Sequence, residues 1–362
     1  MSLLDSLNQT VLAWHDPYLD CTLGAAKAVQ GVALNPDGHV QVDIKLGFPA
    51  LRYGHELVGS LSSALMALPG VRDVQVSVHW QVETHAVQRG VKPLPEVRNI
   101  IAVASGKGGV GKSTVTANLA LALRSEGASV GVLDADIYGP SQPRMLGCPG
   151  RPEMTAEQKL IPMQSHGLQV MSIGNLVDED QPMIWRGPMV TGALQQLLSE
   201  THWRDLDYLI IDLPPGTGDI QLTLSQKVPV SGAVIVTTPQ DIALLDARKG
   251  LKMFEQVGVP VLGIVENMST HICSACGHEE AIFGTGGGAR LAEEAGVVLL
   301  GKLPLEASIQ DAADRGAPTV VSEPESANAR RYLEIARRVA ARLALRSRDY
   351  SNRFPNIVIQ NT

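Results

Sequence analysis

The sequence predicts an α/β protein in which a doubly wound, mostly parallel sheet follows a small α+β domain. Three observations lead to this fold class: short apolar runs alternate with helical stretches, a glycine-rich loop joins one run to a helix, and the first 87 residues follow a different pattern. The runs are apolar on both faces, as strands covered by helices on each side must be. They lie at 100–103, 130–133, 208–211, 233–236 and 261–265.

The helical stretches between these runs carry their apolar residues on one face. One ends at Gly127 and a later one at Gly258, and glycine suits the end of a helix. Because strand–helix–strand connections are right-handed, a doubly wound sheet follows. A final helix is expected near 327–345, and the polar tail at 346–362 is expected to be loosely held.

Residues 1–87 are expected to form the small α+β domain. Its predicted helices and strands lie at 4–12, 56–68, 40–44 and 74–78. Residues 88–98 are polar and include Pro93 and Pro95, which cannot continue a helix or a central strand, so this segment is the expected linker. The large domain is then expected to span 99–345.

Length and composition narrow the classes of function. The 362 residues exceed what one core usually supports, which favours two domains. A formal net charge of -7 argues against a general nucleic-acid binder. The first residues lack the pattern of a secretory signal, and no apolar run approaches the roughly 20 residues of a membrane span. We expect a cytoplasmic protein that binds neither nucleic acid nor a membrane.

A complete phosphate-binding motif lies between the run at 100–103 and the helix after it. Its residues are Gly106, Lys107, Gly108, Gly109, Val110, Gly111, Lys112, Ser113 and Thr114. Glycines let the backbone N–H groups approach phosphates at a helix N-terminus. Lys112 would neutralise the β- and γ-phosphates of ATP, and the Ser113 hydroxyl would complete the shell of Mg²⁺.

The same glycines also satisfy the dinucleotide fingerprint, and Asp134 ends the next run about 20 residues later. Lys112 and Ser113 favour an ATP-binding loop over a dinucleotide site, because a dinucleotide site does not require them. Asp212 closes the run at 208–211, where a second acid that orients Mg²⁺ belongs. The expected ligands are therefore ATP and Mg²⁺, with Ser113 and Asp212 at the metal.

Cys273 and Cys276 form a Cys-x-x-Cys pair after the last run. A thioredoxin-type pair should lead directly into a helix, and Gly277-His278 starts a helix poorly. Haem attachment needs histidine where Gly277 stands. Structural zinc remains an alternative, since His271 and His278 flank the pair. Two solvated thiols that bind no metal are a further alternative. An iron–sulfur cluster is the other alternative, with two of its four cysteines supplied by a second chain.

Beyond the general motif, the loop resembles the deviant Walker A signature Lys-Gly-Gly-x-Gly-Lys-Ser/Thr of the family that contains MinD, ParA, nitrogenase iron protein and arsenical-pump ATPases. This resemblance implies a homodimer in which Lys107 reaches across to the partner's nucleotide. It also implies that Asp136 orients the attacking water. A turn at the end of a strand is the alternative role for Asp136.

Residues 99–322 resemble the Mrp/ApbC family of iron–sulfur cluster carriers. The resemblance rests on the Cys pair and on the segments 106–114, 134–141, 185–188, 212–219, 238–241 and 266–269. It implies that Cys273 and Cys276 ligate a labile 4Fe–4S cluster bridging two subunits. The cluster would pass to apo iron–sulfur proteins with ATP hydrolysis, and Asn267 would recognise adenine.

The N-terminal unit resembles the MIP18-like domain often fused to these carriers. Stand-alone members of that group commonly carry Cys-Pro where this chain has Phe48-Pro49, which puts a cluster-binding role of the unit in doubt. The rival functions are a positioning ATPase like MinD or ParA and a zinc-stapled regulatory ATPase. A membrane anchor of the first kind is not evident, because Glu334 interrupts the arginines of the final helix.

Overall fold

The computed structural model describes residues 2–88, 90–176 and 187–346. The tail predicted to be loosely held lies outside the described residues from position 347 onward, and so do Trp185 and Arg186 of the segment at 185–188.

The N-terminal unit is the predicted α+β domain. Its elements are α1 (Leu3–Ala13), β1 (His15–Asp16), β2 (Cys21–Thr22), β3 (Val29–Leu34), β4 (His39–Leu46), α2 (Leu51–Met66) and β5 (Asp73–Trp80). Strand β4 pairs antiparallel with β3 and parallel with β5. Every second residue of β4 is buried, as expected of a strand with one face on a core. The helices and strands predicted here are confirmed, with α2 beginning earlier than expected.

The large unit alternates strands and helices. Its first elements are β6 (Val97–Ser105), α3 (Lys112–Ser125), β7 (Val130–Asp134), α4 (Gln142–Met145), β8 (Met163–Ser165), β9 (Leu168–Ser172), α5 (Gly187–Glu200), β10 (Leu206–Asp212) and α6 (Asp219–Lys227). The remaining elements are β11 (Gly232–Thr237), α7 (Asp241–Gln256), β12 (Val261–Glu266), β13 (His271–Ile272), β14 (Glu279–Glu280), α8 (Gly287–Glu294), β15 (Leu299–Lys302), α9 (Ala307–Asp314), α10 (Thr319–Ser322) and α11 (Ala327–Ala344).

Eight strands form one sheet in the order β15-β12-β11-β6-β10-β7-β9-β8. All neighbours are parallel except β8 and β9. Helices α3 and α11 cover one face, and α5, α6, α7 and α8 cover the other. The doubly wound, mostly parallel sheet and all five predicted strands are confirmed. Because β6 is central, the loop after it emerges in the middle of the carboxyl edge, where such sheets bind ligands.

The final helix α11 matches its prediction closely. Ser326 caps it by accepting a hydrogen bond from the Ala329 N–H group. Its apolar face packs into the core beside α3. No helix in the described ranges combines the length and apolarity needed to cross a membrane.

The two units share one core instead of standing apart. Apolar side chains of both units, Phe48 and Leu61 in the first and Leu119 and Val339 in the second, belong to one continuous buried cluster. The predicted linker is also anchored at both ends: β6 already begins at Val97, and the buried Gln88 side chain bonds the backbone of residues 225, 228 and 230. The segment 88–98 thus joins two packed units.

A buried charged cluster lies at this junction. Glu126, the C-cap of α3, accepts hydrogen bonds from the backbone N–H groups of Arg52 and Tyr53 in the first turn of α2. It also accepts a bond from Arg337 of α11 at 2.7 Å, and Arg337 donates in turn to the Tyr18 hydroxyl at 2.9 Å. The α2 N-terminus lacks a side-chain cap of its own, so the acid on α3 satisfies it.

Candidate functional site

The phosphate loop connects β6 to α3 through four glycines, two of which, Gly106 and Gly111, have no room for a side chain. Gly109 and Gly111 have φ angles of 79° and 80°, and Gly111 is the N-cap of α3. A Cβ at Gly106 would lie 2.2 Å from the carbonyl carbon of Asp246, and one at Gly111 would lie 2.2 Å from Nδ2 of Asn267. The loop therefore forms an open turn at a helix N-terminus, the arrangement that binds phosphate.

Four of the predicted site residues meet around the Lys112 ammonium group. Lys112 is 5% exposed, and its Nζ lies 2.5 Å from Oδ1 of Asp212, 3.5 Å from Oδ2 of Asp136 and 3.3 Å from the Ser113 hydroxyl. Burial raises the pKa of Asp136, while the Lys112 charge opposes that rise. The lysine is thus held at the N-terminus of α3 by the two acids, close to where a phosphate would be bound.

Asp134 organises the loop that carries Asp136. Its Oδ1 accepts from the Asp136 N–H group at 3.1 Å, and its Oδ2 accepts from the N–H groups of Ser141 and Gln142 at 2.9 and 3.0 Å. Burial, and then the charge of Asp212, raise the pKa of Asp134 to about 7. From the sequence, Asp134 was singled out only as a possible dinucleotide-binding residue. The Asp-x-Asp spacing of Asp134 and Asp136 could have indicated that Asp134 organises the loop that carries Asp136.

The oxygen atoms beside Ser113 fit a hydrated Mg²⁺ ion. The Gln142 side chain, which the sequence did not single out, donates through Nε2 to the Ser113 carbonyl at 3.0 Å and to Oδ2 of Asp212 at 2.9 Å. Its Oε1 and the Ser141 hydroxyl are buried without a hydrogen-bond partner among the described residues. A hydroxyl, a carboxylate and unpaired oxygens are the donors that Mg²⁺ prefers.

Asn267 lies against the phosphate loop. Its Nδ2 donates to the Val110 carbonyl at 2.8 Å, and its backbone N–H donates to the Thr237 carbonyl at 2.8 Å. Recognition of adenine by Asn267 stays a prediction. Lys107 is half-buried and forms no ion pair with any residue in the described ranges, and its role across a dimer likewise stays a prediction.

The Cys pair lies at the tip of a small hairpin. Strands β13 and β14 pair antiparallel, and Cys273 and Cys276 lie between them, the first half-buried and the second exposed. Gly277, with a φ of 71°, donates its N–H to the Cys273 carbonyl at 2.8 Å and closes the turn. The N–H groups of Ala275 and Cys276 hold the pKa of the Cys273 thiol below its usual value. A lower pKa raises the fraction of the thiolate, the form that binds metal.

The described residues do not assemble a complete metal site around this pair. In the described ranges, no three histidine, cysteine or acidic side chains come together to hold a metal ion. His271, a ligand in the zinc alternative, instead has its Nδ1 3.3 Å from the Leu305 carbonyl. The hairpin thus presents two thiols outward as an incomplete set of ligands. The pair also does not lead directly into a helix, unlike a thioredoxin-type pair.

Known proteins match both units of the chain. The family described as NUBPL iron-transfer P-loop NTPase matches residues 96–340, and an iron–sulfur cluster assembly protein family matches residues 14–78. A relative from Salmonella typhimurium named iron–sulfur cluster carrier protein is 52% identical, covering 92% of this chain and 90% of the relative. The Mus musculus iron–sulfur cluster transfer protein NUBPL is 47% identical, covering 86% of this chain and 95% of the relative.

Solved structures share the fold of the large unit. A nucleotide-binding protein from Archaeoglobus fulgidus, solved in complex with ADP, is 40% identical with a TM-score of 0.56 and covers 64% of this chain and 90% of its own. The Pyrococcus furiosus cell division ATPase MinD is 24% identical with a TM-score of 0.50, covering 67% of this chain and 98% of its own, and shows the fold alone. The resemblance drawn from the motifs is confirmed, and the chain belongs to the family of NUBPL iron-transfer P-loop NTPases.

Proposed function

We propose that this protein is an ATP-hydrolysing iron–sulfur cluster carrier of the cytoplasm. It holds a labile 4Fe–4S cluster between the two subunits of a homodimer and delivers it to apo iron–sulfur proteins. One observation carries the proposal: a single chain combines the buried Lys112–Asp212 phosphate site with two thiols at a hairpin tip, one half-buried and one exposed, whose ligand set is incomplete among the described residues. Relatives named as carriers, about half identical over most of the chain, support it.

Hydrolysis would use the groups that meet at Lys112. ATP phosphates at the N-terminus of α3 take the place of Asp212 as the partner of the Lys112 charge. Ser113 and Asp212 would hold Mg²⁺, which supplies charge neutralisation at the β- and γ-phosphates. Asp136 orients the attacking water, and Lys107, free of ion pairs in the described ranges, stabilises charge on the nucleotide of the other subunit.

The cluster is the cargo. Each subunit contributes the Cys273 and Cys276 thiolates, so a two-fold dimer completes the four that a 4Fe–4S cluster needs. The exposed Cys276 at the hairpin tip supports delivery, because an acceptor protein could reach a cargo held there. The same dimer interface holds the shared cluster and the Lys107 contact with the nucleotide. Exchange between bound ATP and ADP therefore controls how tightly the two subunits hold the cluster.

Metal and sulfide analysis after anaerobic reconstitution tests the cargo. We expect about four irons and four sulfides per dimer, lost in Cys273→Ser and in Cys276→Ser. Cys148→Ser is the matched control, because Cys148 is a buried thiol away from the hairpin, and this variant should keep its cluster. Bound zinc without sulfide would contradict the cluster proposal and favour the zinc-stapled alternative.

A second variant tests whether ATP hydrolysis serves delivery. Lys112→Ala should abolish hydrolysis and cluster transfer to an apo-ferredoxin while leaving the reconstituted cluster in place. Lys107→Ala should retain nucleotide binding and lose hydrolysis, if the lysine acts across the dimer. Normal delivery by Lys112→Ala would show that the ATPase is dispensable for the carrier.

A further inference from the structure

Glu266 is a buried acid that the phosphate chemistry does not use. It ends β12, directly before Asn267, and is 1% exposed. Its Oε2 accepts the Gly288 N–H at 2.5 Å, and its Oε1 accepts the Ser269 hydroxyl at 2.9 Å. The nearest cation is Lys302, with its Nζ 3.8 Å from Oε1. Hydrogen bonds, more than an ion pair, therefore satisfy this carboxylate.

The two donors bound by Glu266 stand at the two ends of the segment 269–288, which contains the Cys hairpin. Gly288 is the second residue of α8, so the carboxylate also caps the positive end of that helix. A Cβ at Gly288 would lie 2.8 Å from Oε2 of Glu266, which only glycine avoids. One side chain thus holds both ends of the cysteine segment at the edge of the sheet.

Asn267, the residue after Glu266, connects the end of β12 to the phosphate loop. Asn267 bonds the Val110 carbonyl of the phosphate loop. Glu266 is the last residue of β12 and Asn267 follows it directly, and their side chains contact different segments. One of them contacts the phosphate loop and the other contacts the cysteine segment. A continuous path of contacts therefore runs from Val110 through two adjacent residues to both ends of the hairpin segment.

We propose that Glu266 is a positioning residue that couples the phosphate loop to the Cys hairpin by holding Ser269 and Gly288 on the strand end that Asn267 fastens to Val110. This rests on the proposed function, since it explains how nucleotide state would control the hold on the cargo. Glu266 touches neither the phosphates nor the thiols and acts through the segment that it anchors.

The test measures the alkylation rate of Cys273 and Cys276 by iodoacetamide in the cluster-free full-length protein, with and without a non-hydrolysable ATP analogue and Mg²⁺. In the wild type the analogue should change the rate by about fivefold or more, as coupled sites typically do. In Glu266→Gln, whose amide NH₂ cannot accept a second hydrogen bond, most of that change should disappear. Analogue affinity should stay close to wild type, and the variant should still unfold cooperatively, at a temperature lowered by the loss of one buried hydrogen bond.

Two further variants keep the test decisive. Glu293→Gln removes an exposed acid from the same helix α8 and should behave as the wild type. Ser269→Ala removes one of the two anchors without leaving a buried amide, so it should show an intermediate loss even if Glu266→Gln folds poorly. A full nucleotide response in Ser269→Ala and Glu266→Gln, or no response in a wild type that binds the analogue, would overturn the coupling.

Failure of this inference is distinct from failure of the proposed function. The alkylation readout needs no cluster, so a nucleotide response that depends on Glu266 supports the coupling even in a protein that binds zinc. Conversely, the wild type could assemble a cluster while the alkylation rate of its thiols does not change with nucleotide. That result would support the carrier function and contradict the coupling.

Discussion

The buried pair of Arg337 and Glu126 is expected to hold the two units together, and Arg337→Ala should expose its contribution. Glu126 is 1% exposed and would keep only the N–H groups of Arg52 and Tyr53. Removing one partner of a buried pair costs about 3–5 kcal/mol, and the two remaining bonds place this case near about 3 kcal/mol. Loss of the guanidinium from above the Tyr18 and Tyr53 rings, 5.3 Å from each centroid, adds about 1 kcal/mol.

Equilibrium unfolding in urea measures the effect. A loss of about 4 kcal/mol, with a slope of about 3 kcal/mol per M, lowers the midpoint by about 1.3 M. Arg330→Ala is the matched control, because Arg330 lies on the exposed side of the same helix, and it should change stability by less than about 0.5 kcal/mol. The loss should persist at 1 M salt, since a buried pair is screened little. Equal midpoints for the two variants would refute this reasoning.

Two further predictions concern the sites. Gly106→Ala should abolish binding of a fluorescent ATP analogue, because its Cβ would lie 2.2 Å from the backbone of Asp246. Gly192→Ala is the control, because its Cβ would lie in open space inside a helix. This control should bind the analogue normally and gain about 0.5–1 kcal/mol of stability. Normal binding by the first variant would contradict the packing argument. At pH 7, iodoacetamide should modify Cys273 much faster than Cys148, because hydrogen bonds lower the pKa of the first thiol and burial raises that of the second to about 11. Peptide mass spectrometry measures the two rates. Equal rates would contradict the lowered pKa of Cys273.

The sheet and the phosphate loop were predictable because their signals are local. A strand buried on both faces must be apolar throughout, so β7, β10 and β11 could be read directly from their runs. The loop motif fixes residue types by the needs of phosphate and metal, so the sequence could name Lys112 and Asp212 before any distance was known. The structure brings the two side chains into direct contact at 2.5 Å, and their roles stay predictions.

The supporting residues were not predictable, because their roles depend on pairs far apart in the chain. Glu126 binds Arg337 across 211 residues, and Gln142 binds Asp212 across 70. Nothing in the sequence around Glu126 or Gln142 distinguishes either residue from a solvated side chain on the surface. Glu266 adjoins the predicted Asn267, but its partner Gly288 is known only once α8 is placed beside β12. Three-dimensional packing decides which acids are buried, and burial decides their roles.

The helix that begins at the phosphate loop also explains where the N-terminal unit can act. Helix α3 spans 14 residues, about 21 Å at 1.5 Å per residue, and its far end carries Glu126 beneath α2. Phe48 is fully buried and stacks on Tyr53 with ring centroids 6.2 Å apart. A buried phenylalanine serves packing and offers no metal ligand. The N-terminal unit therefore contacts the far end of the helix that begins at the phosphate loop, and the hairpin thiols, not Phe48, remain the predicted cluster ligands.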